Sequence, residues 1–124
     1  MIRVVVTDRD QSVREHLTAV IEAQPDIEVL ATASTPAQTR AAVAEHRPHV
    51  VIVDPHVGDD HGLDTCLQVQ AANPEAKCIL YTTGITNPWA DSDAIAAIVP
   101  KQLNTNQLLT TIRHLAARSP DDIG

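Results

Sequence analysis

A chain of 124 residues falls in the range of a single domain with one substantial core. Its formal net charge of −7 works against binding a phosphate backbone, since nucleic-acid affinity comes chiefly from Lys and Arg displacing counterions, so no direct nucleic-acid contact is expected of this segment. No run approaches the ~20 apolar residues of a membrane span, and Met1, Ile2, Arg3 and Val4 enter a strand-like run without a charged head and cleavage site, which predicts a cytoplasmic protein without membrane contact.

The first apolar run, Ile2 to Val6, is followed by Val13, Leu17, Val20 and Ile21, which share one helical stripe facing a sheet. Asp10 stands where an acid starts that helix. After a second run, Ile27 to Ala31, Thr35-Pro36-Ala37-Gln38 forms a capping box with proline in the first helical position, and Ala41, Ala42 and Val43 give the helix a small, tightly packable face. Val50 to Val53 is a third run, and Leu63, Cys66 and Leu67 mark a helix stopped by Asn73-Pro74. Cys78 to Tyr81 is the fourth run. Pro88, Asp91, Ser92 and Asp93 then leave room for only one or two helical turns around Trp89, so a stunted fourth helix is expected. Ile95 to Val99 is the fifth run, and Leu108, Leu109, Ile112, Leu115 and Ala116 mark a last helix opened by Asn104 and Gln107.

The five runs are rich in Val and Ile and do not alternate, as strands covered on both faces read. Strands alternating with helices predict an α/β fold: a doubly wound, flavodoxin-like, five-stranded parallel sheet in the order 2-1-3-4-5, with a shortened fourth helix. Residues 1–118 are expected to form the domain and 119–124 a polar tail or the start of a linker. Cys66 and Cys78 lack CxxC spacing and read as core residues with reduced thiols. In the expected strand order the first and third strands are neighbours, and their carboxyl ends, carrying Asp8 and Asp54, flank the switch point where such sheets hold ligands.

The segments VVVTDRDQSVREHL, VVIVDPHVGDDHGLDTC, ILYTT and AIVPKQL resemble the receiver domains of bacterial two-component response regulators, closest to the subfamily with a helix-turn-helix (LuxR-type) output domain. The resemblance covers nearly the whole chain. It implies that Asp54 is the phosphoacceptor, that Thr82 contacts the phosphoryl group through its hydroxyl and that Lys101 pairs with it. It also implies a Mg²⁺ site formed by Asp8, Asp54 and the backbone carbonyl of His56, with Gly62 closing the loop. A carboxylate attacking a phosphoryl group needs both charges screened, which Mg²⁺ and lysine supply by position.

Three residues depart from the family pattern. Arg9 stands where a second acid binds the metal, Gly58 where a proline follows the phosphoacceptor, and Ile98 where an aromatic switch precedes the lysine. Mg²⁺ binding is therefore expected to be weakened, with the Arg9 guanidinium within reach of Asp8 or Asp54 as a tethered cation.

The function implied is a receiver, not an enzyme, that accepts a phosphoryl group on Asp54 from a histidine kinase and alters dimer or output contacts in transcription regulation. The alternative is a pseudo-receiver that docks or dimerises without phosphorylation. A homodimer is expected through the last helix, Asn104 to Arg118, which offers Leu, Thr and His outside its core stripe. His56, Asp59, Asp60 and His61 contain metal-ligand types, but adjacent loop residues rarely converge without a scaffold behind them. A hydrolase built on that loop lacks a base paired to a nucleophile.

Overall fold

The computed structural model describes residues 1–54, 62–82, 96–100 and 105–117, with the side chains of residues 62–64, 82, 98, 100 and 117 excepted. The elements run β1 (Ile2–Thr7), α1 (Gln11–Glu22), β2 (Ile27–Ala33), α2 (Pro36–His46), β3 (Val50–Val53), α3 (Gly62–Ala72), β4 (Lys77–Thr82), β5 (Ala97–Pro100) and α4 (Thr105–Ala117). The strands form one parallel sheet in the order β2-β1-β3-β4-β5. The expected shortened fourth helix, Trp89 and the tail fall outside the described residues.

Alternate residues of each buried strand point to opposite faces, so each face has its own core. One face packs Val4, Val6, Ile52, Ile79 and Val99 against Leu17, Ile21, Leu108, Leu109 and Ile112 of α1 and α4, with Val13 and Val20 beside them. The apolar stripe read for α1 faces this core. The other face packs Val5, Val51, Val53, Cys78 and Leu80 against Ala42, Val43, Cys66 and Val69 of α2 and α3.

The sequence misassigned two helical positions. Ala41 is exposed, and Thr39 takes the inward place, its hydroxyl donating to the Thr35 carbonyl (2.9 Å) and bonding Thr7 Oγ1 (2.9 Å). Leu67 is 46% exposed, and Val69 is the buried aliphatic of that turn pair.

Two helix starts follow from their capping residues. Asp10 is the N-cap of α1, its carboxylate accepting from Ser12 N (2.8 Å). Thr35 caps α2 by accepting from Gln38 N (3.1 Å), while the Gln38 side chain turns back to Ser34 rather than to Thr35.

The edge strand β2 carries an irregularity that could not be read in advance. Val4 pairs with Val29 but Val5 pairs with Ala31, so Leu30 is an extra residue. In a regular strand Val29 and Ala31, two residues apart, would share a face; instead Val29 packs on the α1 side and Ala31 on the α2 side. Edges invite pairing with other chains, and a bulge blunts them. At the opposite edge Pro100 ends β5, where a missing N–H is tolerated.

Candidate functional site

The strand order reverses at β1, which continues to β2 on one side and β3 on the other. Thr7 pairs with Val53, so the residues that follow, Asp8 and Asp54, emerge side by side at the carboxyl ends of their strands. The backbone carries the pairing one step further: Asp54 N donates to the Thr7 carbonyl (3.0 Å), and Asp8 N donates to the Ala33 carbonyl (3.0 Å). Both acids are buried, Asp8 at 2% exposure and Asp54 at 7%. Carboxylates seldom reach such depth unless paired or put to use.

The turn after β1 is fixed at both ends. Asp8 Oδ1 accepts from Asp10 N (2.9 Å), and Arg14 Nη1 donates to the Asp8 carbonyl (2.6 Å) from one turn along α1. Arg14 was not singled out by the sequence, because nothing in residue type or spacing distinguishes it from a solvated helix arginine. Asp10 caps α1 through its Oδ1.

Arg9 departs from expectation. Its side chain is exposed, and the ion pairs among the described residues are His46–Glu45 and Arg113–Asp26, so it does not bridge Asp8 or Asp54. The planar fork that suits arginine to a carboxylate is spent in solvent, while Arg14 fixes the backbone instead. Neither Asp8 nor Asp54 is without a partner.

Thr82 is the last residue of β4 and pairs with Pro100, which brings its backbone to the same end of the sheet. Val53 pairs with Leu80, so Thr82 lies one step beyond the level of Asp54. Lys101, which follows Pro100, and His56, Gly58, Asp59, Asp60 and His61 lie outside the described residues, as does the side chain of Ile98. Gly62 begins α3. No cluster of three or more metal-ligating side chains occurs among the described residues. The donors at hand, two neighbouring carboxylates, are hard oxygen ligands, and Mg²⁺ is commonly held by one or two carboxylates with water and substrate phosphate completing its shell. The residues therefore fit a Mg²⁺ ion, with one acid fewer than the family pattern.

The chain matches the response regulator receiver domain family over residues 4–113 and belongs to it. It is 27% identical over 121 residues to the DNA-binding transcriptional activator DevR/DosR of Mycobacterium tuberculosis, covering 94% of this chain and 55% of that protein. It is 31% identical over 99 residues to the transcriptional regulatory protein LiaR of Bacillus subtilis, covering 80% of this chain and 44% of that one. The chain thus spans about half the length of these relatives. A LuxR-family two-component response regulator from Aurantimonas superposes with a TM-score of 0.86 at 22% identity, over 97% of this chain and 91% of that one. No helix among the described residues is long and apolar enough to cross a membrane.

Proposed function

We propose that this chain is the receiver of a cytoplasmic two-component system, taking a phosphoryl group onto Asp54 from a histidine kinase and passing the change to an output that regulates transcription. The observation that carries this reading is the buried pair Asp8 and Asp54 at the carboxyl ends of β1 and β3. In the transfer, an Asp54 carboxylate oxygen forms the new bond to phosphorus as the phosphorus–nitrogen bond of the donor phosphohistidine breaks, and the imidazole keeps that electron pair. Asp8 and Asp54, with the His56 carbonyl, would hold a Mg²⁺ ion that screens the developing charge. Thr82 contacts the bound phosphoryl group through its hydroxyl and Lys101 supplies its cation. The transcriptional role is supported by the regulators it resembles, DevR/DosR and LiaR.

The homodimer expected through the last helix stays a proposal with a changed surface. Leu108 and Leu109 are buried and Leu115 packs against the core. The outer face is polar: Thr110 and Thr111 donate to the carbonyls of Asn106 and Gln107, and His114 is exposed. Any dimer through α4 would therefore be weak and polar, and sedimentation at tens of micromolar that finds only monomer would remove it.

The deciding experiment is a mass spectrum after incubation with acetyl phosphate and Mg²⁺. The expected result is one added phosphoryl mass, absent from Asp54→Asn. No uptake by the natural chain under conditions that phosphorylate Arg9→Asp would reject the phosphoryl receiver in favour of the pseudo-receiver, whose supporting observation is the arginine in the acid's place.

A further inference from the structure

Arg14 turns its charge to a neutral partner. It stands near the amino end of α1, where the helix dipole disfavours a cation, and the neighbouring acid, Glu15, accepts from Gln11 Nε2 (2.9 Å). The guanidinium reaches back six residues, Nη1 donating to the Asp8 carbonyl (2.6 Å) in a charge-assisted bond. Asp8 Oδ1 accepts from Asp10 N (2.9 Å), and Arg14 N donates to the Asp10 carbonyl (3.1 Å). These three bonds close a ring from Asp8 to Asp10 to Arg14 and back. Its effect is to fix the turn that orients the Asp8 carboxylate, which is 2% exposed at the end of β1.

We propose that Arg14 is a positioning residue for the Mg²⁺ site: by holding the Asp8 carbonyl it locks the turn that aims the Asp8 carboxylate, so Mg²⁺ affinity depends on this arginine even though its charge opposes the ion. The inference rests on the reading of Asp8 and Asp54 as the acids of a phosphoryl site and adds to it a residue that touches neither metal nor phosphate.

Two physical effects of Arg14 act in opposite directions, which makes the sign decisive. As a positive charge one helical turn from the acids, the guanidinium repels a cation, so its removal would tighten Mg²⁺ binding if charge were all that mattered. As the clasp of the turn, it keeps a ligand oriented, and groups that orient metal ligands are typically worth about 10–100-fold in metal affinity. Arg9 supplies the contrast, since its side chain is exposed and charge is its only route to the metal.

The test is a calorimetric Mg²⁺ titration of the whole chain and of Arg9→Asp, each with Arg14 retained or replaced. Arg14→Ala is expected to weaken binding by about tenfold in both. Arg14→Lys, which keeps the charge and a donor but not the planar fork, is expected to recover part of that loss. In the metal-free chain the Asp10 amide should exchange faster in Arg14→Ala while the amides of β3 keep their rates, a pattern that a general loss of stability does not produce. Binding by Arg14→Ala as tight as that of the natural chain, or tighter, would overturn the proposal. So would amides of β3 that quicken together with that of Asp10. Absence of Mg²⁺ binding even in Arg9→Asp would remove the metal site and this inference with it, whereas a failure confined to the Arg14 variants leaves the phosphoryl reading of Asp54 standing.

Discussion

The two ends of the sheet use the same kinds of residue for opposite purposes. At the amino end, polar groups complete one another: Arg3 N donates to His49 Nδ1 (3.0 Å), His49 N to the Arg3 carbonyl (2.9 Å), Lys77 N to the His49 carbonyl (2.9 Å) and Ile2 N to the Asp26 carbonyl (2.9 Å). Arg3 Nη1 adds a bond to the His46 carbonyl (3.2 Å), tying the end of α2 to β1. At the carboxyl end, by contrast, two acids are buried next to each other. Adjacent buried carboxylates repel and lose hydration, costs that a fold carries where a site needs them. One end is closed by its own hydrogen bonds, the other carries the proposed phosphoryl site, and substitutions should separate the two.

The largest effect belongs to neither end. Ile52 lies in the middle of β3 at 1% exposure, and Ile52→Ala is expected to lower unfolding free energy by about 2–5 kcal/mol through lost burial and the cavity left behind. Urea unfolding measures it, and a loss under 1 kcal/mol would mean that the core collapses around the gap.

Next comes the amino end. His49→Ala removes the acceptor for Arg3 N–H, at about 1–3 kcal/mol for an unpaired, part-buried donor, with phosphoryl uptake unchanged. A change in uptake equal to that of Arg9→Asp would break the division between the ends. The same histidine sets a pH dependence. Burial first, then the positive charges of Arg3 and the N-terminus, lower its pKa from 6.5. The unfolded chain therefore takes up this proton first as pH falls, so the His49 contribution is intact above 6.5 and declines as pH drops below it. Thermal midpoints across that window, compared with His49→Ala, check the sign.

At the carboxyl end the expected change is in binding. Arg9→Asp replaces an exposed positive charge beside Asp8 with a further oxygen ligand, and Mg²⁺ affinity is expected to rise by about tenfold, or ~1.4 kcal/mol, with the urea midpoint nearly constant. Calorimetric titration of both proteins reads this directly. Submillimolar binding by the natural chain would show that two carboxylates suffice.

What the sequence made legible divides along physical lines. Strands buried on both faces announce themselves as Val- and Ile-rich runs, and Val50 to Val53 was read with its observed bounds. Caps were legible because Asp10 and Thr35 act on backbone two or three residues away. The juxtaposition of Asp8 and Asp54 followed from strand order alone. What escaped depends on partners distant in sequence. Thr39 is inward because its hydroxyl oxygen meets the Thr7 hydroxyl, 32 residues away. The bulge at Leu30 was hidden because every residue of the Val29 to Ala31 stretch is apolar, so either register satisfies the pattern. Arg9 was assigned to the pocket by its charge and position, and its direction into solvent is a matter of rotamer, which sequence does not encode.

The smallest expected effect lies at the amino end, where Arg113 of α4 grips the turn before β2. Its Nε donates to Asp26 Oδ2 (2.9 Å), and its Nη2 to Asp26 Oδ1 (3.0 Å) and to Gln24 Oε1 (2.8 Å). The fork is bidentate, the strong geometry for this pair, yet both side chains are well exposed, at 40% and 47%, where water and salt screen the attraction. The Arg113 guanidinium lowers the Asp26 pKa from 3.8. A carboxylate with a depressed folded pKa stabilises above the unfolded value and loses that contribution as pH falls through the folded one. The difference in stability between the natural chain and Arg113→Gln should therefore be constant near neutrality, shrink as pH drops through and below 3.8, and shrink likewise in high salt at neutral pH. Paired urea titrations at low and neutral pH measure that difference. A gap that persists in acid and in salt would mean that Arg113 acts through the packing of its stem and its bond to Gln24, and the amino end would then owe its stability to fit, with charge contributing nothing.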